Sequence, residues 1–196
     1  MKTIKNAVLT SLLALGAAAP AFAQESKKES EFQLLLGGAL ELGGDNIATV
    51  YFTNGEDQKV NAGQGGSIAV GGQLKLANAP RFLLRTTVGF KYLTTQADNV
   101  HIRLTRIPFI TTANWMVAPK LRIGAGLSAH TGIRFKTGGI GDDMKFKGAV
   151  GPILEIAYSG IGLSYTAMKY TDTEKNTYSA NAIGITISGV VRPKKK

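Results

Sequence analysis

The chain has 196 residues, 24 of them glycine and none cysteine, and 23 basic residues against 13 acidic ones. The missing cysteines exclude disulfides and thiol chemistry. The basic surplus could point to nucleic acid or an anionic surface, but apart from Arg192 and Lys194 to Lys196 the cations fall singly through the strands, with no basic patch interleaved with aromatics, and this argues against a nucleic-acid partner.

Lys2 and Lys5 precede an apolar run from Ala7 to Ala19, then Pro20 and the small-x-small tripeptide Ala21-Phe22-Ala23. That is the pattern of a secretory signal peptide, residues 1–23, cleaved after Ala23. The run is too short for a membrane-spanning helix, which needs ~20 residues. Residues 24–196 form the mature domain, with a short basic tail at 192–196 expected to be solvated in the periplasm.

From Phe32 onward the chain reads as strands, because residues i and i+2 share a face. The first sets Phe32, Leu34, Leu36, Leu40 and Leu42 against Gln33 and Glu41. A long polar loop, residues 43–65, carries Asn54-Gly55, a tight hairpin signal. The second strand sets Ile68, Val70, Leu74 and Leu76 against Ser67, Gln73 and Lys75, and ends at the short turn Asn78-Ala79-Pro80. The third alternates Phe82, Leu84, Val88, Phe90 and Tyr92 with Arg85, Thr87, Gly89 and Lys91.

The fourth strand begins with Ile102 and Leu104 on one face, but beyond Pro108 the apolar set moves to Phe109 and Trp115. Proline favours bulges, so a bulge is expected there. After the turn Val117-Ala118-Pro119, the fifth strand sets Leu121, Ile123, Ala125 and Leu127 against Arg122 and small residues. A loop over 132–146 follows. The sixth and seventh strands (Val150–Tyr158 and Ile161–Thr166) meet at Ser159-Gly160, and the eighth carries Ile183, Ile185, Ile187 and Val191.

Short turns alternate with long loops throughout. That rhythm predicts an all-β fold: an eight-stranded antiparallel up-and-down transmembrane β-barrel in the outer membrane of a Gram-negative cell, with long loops outside. A soluble eight-stranded barrel has the same rhythm. However, its outer face would be rich in Lys and Glu, whereas the polar faces here are mostly Gly, Ser, Thr and Ala, which suit a narrow lumen. Phe32, Phe82, Trp115 and Tyr158 are expected in a periplasmic aromatic girdle, and Tyr92, Tyr170 and Tyr178 in an outer one.

Charges at mid-membrane avoid lipid, so Arg85, Arg103 and Arg122 are expected to point into the lumen, with Glu41 and Glu155 as their partners in an ion-pair network. Ser128 and His130 share a face, but a hydrolytic site would also need an acid and a Ser activated by the His. The acids Asp45, Glu56, Asp57, Asp142 and Asp143 fit no calcium cage, and no helix follows the Gly-rich loop to bind a phosphate. No catalytic residue, cofactor or metal is therefore assigned.

The stretches Arg106-Ile107-Pro108-Phe109, Lys120 to Gly126 and Gly151-Pro152-Ile153-Leu154-Glu155 resemble the small outer membrane protein beta-barrel domain families, in shape like the OmpX-, OmpA- and OmpW-like barrels. The resemblance implies a monomeric outer-membrane barrel inserted by the barrel-assembly machinery. Barrels of this kind usually end on an aromatic residue, which Val190 to Lys196 lacks. A non-catalytic structural or surface-interaction role is expected, with outer loops contacting lipopolysaccharide or external partners. The alternative is a narrow channel for small or apolar solutes. A lipid-modifying enzyme using Ser128 and His130, which carries the two in the reverse of the usual His-x-Ser order, is the weakest reading.

Overall fold

The alternation of apolar and small polar residues becomes one closed antiparallel ladder. The computed structural model describes residues 30–51, 57–97, 100–139 and 141–191. Residues 1–29, which include the expected signal peptide, the 192–196 tail and the Asn54-Gly55 turn lie outside the described residues. The strands are β1 (Glu31–Leu42), β2 (Asn46–Tyr51), β3 (Asp57–Asn61), β4 (Gly65–Lys75), β5 (Phe82–Ala97), β6 (Val100–Ala118), β7 (Leu121–Lys136), β8 (Met144–Lys145), β9 (Ala149–Tyr158), β10 (Ile161–Thr166), β11 (Lys169–Thr171), β12 (Thr177–Ser179) and β13 (Ala182–Val191).

Eight of them form the wall, in the order β1-β4-β5-β6-β7-β9-β10-β13, and β13 pairs with β1 to close it. All eight strands expected from the sequence are in place. Closure leaves no free edge in the wall. The turns at one end are tight. At Ser159-Gly160 both residues have positive φ, 52° and 94°, the geometry of a type I′ hairpin. The other end carries the small hairpins β2–β3 and β11–β12.

The side chains sort by face. Leu34, Leu36, Leu40, Ile68, Val88, Phe109, Ile123, Leu154, Leu163 and Ile185 all point outward and are exposed. A continuous apolar surface of this extent does not face water. The chain is a transmembrane β-barrel. Leu154, 57 % exposed, sits mid-strand in this belt. Leu154→Arg is expected to cost ~2–4 kcal/mol, read from urea unfolding in lipid vesicles, whereas Leu→Met at the same site should be near neutral.

Two expectations are corrected. There is no bulge at Pro108, because exposure alternates evenly along β6 from His101 to Val117. Ile102 and Leu104 simply face inward, and Phe109 and Trp115 face lipid. The register shift lies across the ladder, between the pairs Thr105↔Arg134 and Ile107↔Thr131. The extra residue is therefore on β7, at Gly132, whose φ of 59° is one that glycine adopts without strain.

The bulge flips β7. Below it Arg122, Ser128 and His130 face the lumen, and above it Ile133 and Phe135 do. Arg134 and Lys136 are turned outward.

The outer aromatic girdle is also corrected. Tyr92 is exposed, but Tyr170 is buried and Tyr178 packs on the interior cluster. Phe32, Trp115 and Tyr158 are exposed near the opposite end.

Candidate functional site: a layered lumen and a basic outer rim

Arg122 sits on the inward face of β7 and Glu155 on that of β9, and the ladder pairs Gly124 with Glu155. The two side chains meet in a bidentate ion pair: Arg122 Nη1 donates to Glu155 Oε2 at 2.7 Å and Nη2 to Oε1 at 2.8 Å. Arg122 Nη1 also donates to Asn114 Oδ1 at 2.9 Å, and Thr186 Oγ1 donates to Glu155 Oε1 at 2.8 Å. Fork geometry of this kind gives the strongest charge-assisted bonds.

Arg85 enters from β5 and stays 3.6 Å from Glu155 Oε2, and its buried Nε has no partner among the described residues. Arg85, Arg122 and Glu155 thus meet in one layer. Just above it lies a cavity of about 100 Å³.

Arg103 does not join this layer. It is exposed on the outward face of β6, paired with Thr94 and Lys136 beyond the apolar belt. Lipid does not reach it there, so nothing forces it inward. Glu41 is inward, but its partner is Lys91 Nζ at 2.8 Å.

Lys91 and Arg106 form a second layer. Both are fully buried, and both hold the chain between β3 and β4. Lys91 Nζ donates to Gly63 O at 2.7 Å, Arg106 Nη1 donates to Ala62 O at 2.5 Å, and Arg106 Nη2 donates to Gln64 O. The outer loop is thereby clasped inside the barrel mouth. The Arg106 guanidinium also lies 6.0 Å from the Tyr170 ring centroid, within cation–π range. Lys91 alternates with Val88, Phe90 and Tyr92, so its inward parity was legible, whereas Arg106 shares the parity of Ile102 and Leu104 and was not.

Above the clasp is an apolar core of Val50, Val60, Ile102, Leu104, Ile133, Phe135, Phe146 and Tyr170, among others. Phe146 packs against Tyr170 and edge-on against Tyr178. Burial raises the Tyr170 hydroxyl to about 12, so it keeps its proton at neutral pH. It shares a 2.5 Å hydrogen bond with His130 Nδ1. Ser128 Oγ is buried and unpartnered among the described residues. His130 is therefore bonded away from Ser128, and the hydroxyl has no base.

The acidic loop residues do structural work. Asp143 Oδ1 accepts from Thr137 N at 3.0 Å, and Asp45 Oδ2 accepts from Ser179 N at 2.7 Å.

Outside the barrel, just beyond the belt, the bulge at Gly132 creates a second feature. Arg103 pairs with Lys136, and Arg134 with Lys145, directly across the ladder. All four are exposed. Ion pairs among the described residues use Arg85, Lys91 and Arg122, not these four. Like charges placed directly opposite destabilise a sheet.

No family model matches the sequence, and no curated protein does. Among solved structures, Ail, the attachment invasion locus protein of Yersinia pestis in complex with the heparin analogue sucrose octasulfate, superposes with a TM-score of 0.46 at 10 % identity, over 82 % of this chain and 99 % of that one. Neisserial surface protein A (NspA) gives a TM-score of 0.44 at 14 % identity, over 82 % and 98 %. Both are small outer-membrane barrels, the class the sequence resembles. At such identity and score they carry no further argument.

Proposed function

We propose that this protein is a non-catalytic outer-membrane barrel, acting as a monomer, whose outer rim binds the phosphate groups of lipopolysaccharide. One observation carries the reading: the paired cations Arg103↔Lys136 and Arg134↔Lys145 stand on the outer wall immediately beyond the lipid-facing belt. That is the level at which anionic headgroups meet a barrel. A cation near an anionic surface contributes ~1 kcal/mol.

The channel reading is disfavoured by the layered lumen. A solute would have to break the Arg122–Glu155 pair, displace the Lys91–Glu41 clasp and traverse the apolar core. The lipid-modifying reading is disfavoured because Ser128 has no activating base.

The test is lipopolysaccharide binding by the folded, purified barrel in detergent. Affinity is expected to fall with rising salt, and Arg134→Ala/Lys145→Ala is expected to weaken it by about 2 kcal/mol, roughly 30-fold. Salt-independent binding, or full affinity in the double variant, would sink the proposal.

A further inference from the structure

Among the described residues the lumen holds four buried cations, Arg85, Lys91, Arg106 and Arg122, against two carboxylates, Glu41 and Glu155. Buried charge without compensation costs several kcal/mol per ion. In the upper layer three backbone carbonyls accept from Lys91 and Arg106, and the Arg106 Nε alone is left unpartnered among the described residues.

The lower layer has no such relief. Both Glu155 oxygens are taken by the Arg122 fork, and one also accepts from Thr186. Arg85 is left with a 3.6 Å contact to an oxygen already bonded elsewhere and an unpartnered Nε.

Arg85 lines the cavity of about 100 Å³, and so does Glu155, whose two oxygens are both bonded to Arg122. The hydroxyls of Ser67, Thr87 and Ser164 line it too, and each can turn a proton toward an acceptor. A single water needs only ~10–15 Å³ on the same measure, so the space suits a water-sized ion with a few waters around it.

We propose that this cavity is a halide site: a chloride held by the Arg85 guanidinium and the surrounding hydroxyls, neutralising the surplus charge of the Arg85–Glu155–Arg122 layer. The ion is a structural counter-charge in mid-lumen. The site is independent of the outer rim, and lipopolysaccharide binding says nothing about it.

Two measurements test it. Crystals of the mature barrel grown with bromide in place of chloride are expected to show an anomalous peak in the cavity, in contact with Arg85. A cavity holding only water, with no bromide peak, overturns the proposal. The second measurement follows thermal unfolding of the barrel in detergent by loss of its heat-modifiable gel mobility, with chloride exchanged for gluconate at constant ionic strength. Chloride at about ten times its dissociation constant is expected to raise the midpoint by about 3–6 °C.

Arg85→Gln is expected to abolish that rise, and Arg85→Lys, which keeps the charge, to retain part of it. A chloride effect of equal size in wild type and Arg85→Gln, or none in wild type, contradicts the site. Should Arg85→Gln fail to fold, Thr87→Val/Ser164→Ala replaces it. Those changes remove two hydroxyl donors and spare the ion pairs, and a reduced chloride response is expected.

Discussion

Glu155→Ala is expected to cost the barrel about 3–5 kcal/mol, the largest effect of any single polar substitution in the lumen. The carboxylate is the only acid within ion-pair distance of Arg85 and Arg122 among the described residues. Its removal strands two buried guanidinium groups and frees the Thr186 hydroxyl as well. The desolvation of the arginines is already paid in the native state, and the loss therefore appears in full. Urea unfolding in lipid vesicles gives the magnitude. A companion variant separates charge from packing: replacing all three residues together, as Arg85→Met, Arg122→Met and Glu155→Leu, removes every charge and is expected to recover most of the stability. A triple variant as weak as Glu155→Ala would mean that the layer matters for its shape rather than its charges.

Phe135→Ala is expected to cost ~3–5 kcal/mol, although Phe135 lies beyond the lipid-facing belt. Its ring is buried in the core that closes the outer mouth. If the outer half were merely loops, truncation there would change stability by less than about 0.5 kcal/mol. Unfolding midpoints decide between the two, and limited proteolysis of residues 43–65 adds a local readout. Loss of the cap should speed cleavage, because Ala62, Gly63 and Gln64 rest on Lys91 and Arg106, and Val50 and Val60 on the core.

The reason Phe135 is in that core lies in one glycine. Along β7 the lipid-facing residues are Ile123, Ala125 and Leu127, and simple alternation would send Ile133 and Phe135 to the same side. Gly132 adds a residue to β7, so the pair turns inward and Arg134 and Lys136 turn out. The bulge builds the cap and the basic rim together.

Much of the barrel was legible because lipid enforces a strict rule. Within the belt an apolar residue points out, and this placed every wall strand and set Arg85, Arg122 and Glu155 on the inner face. The rule fails beyond the belt, where water replaces lipid and an outward cation costs nothing. Arg103 was therefore expected in the lumen and stands on the rim, while Tyr170 and Tyr178 were expected in a girdle and lie in the cap. The partner of Glu41 was not legible either, because strand tilt sets which inward residues meet across the barrel, and alternation carries no information about tilt. Proline drew the expected bulge to Pro108. The break in the apolar pattern was real, but it marked the passage of β6 from the cap to the belt.

The most direct test is single-channel recording of the purified wild-type barrel in planar bilayers. Two buried charge layers and an apolar cap fill the lumen, and under the proposed function no conductance steps are expected at either polarity. Reproducible steps in the wild-type protein would show an open lumen and contradict it.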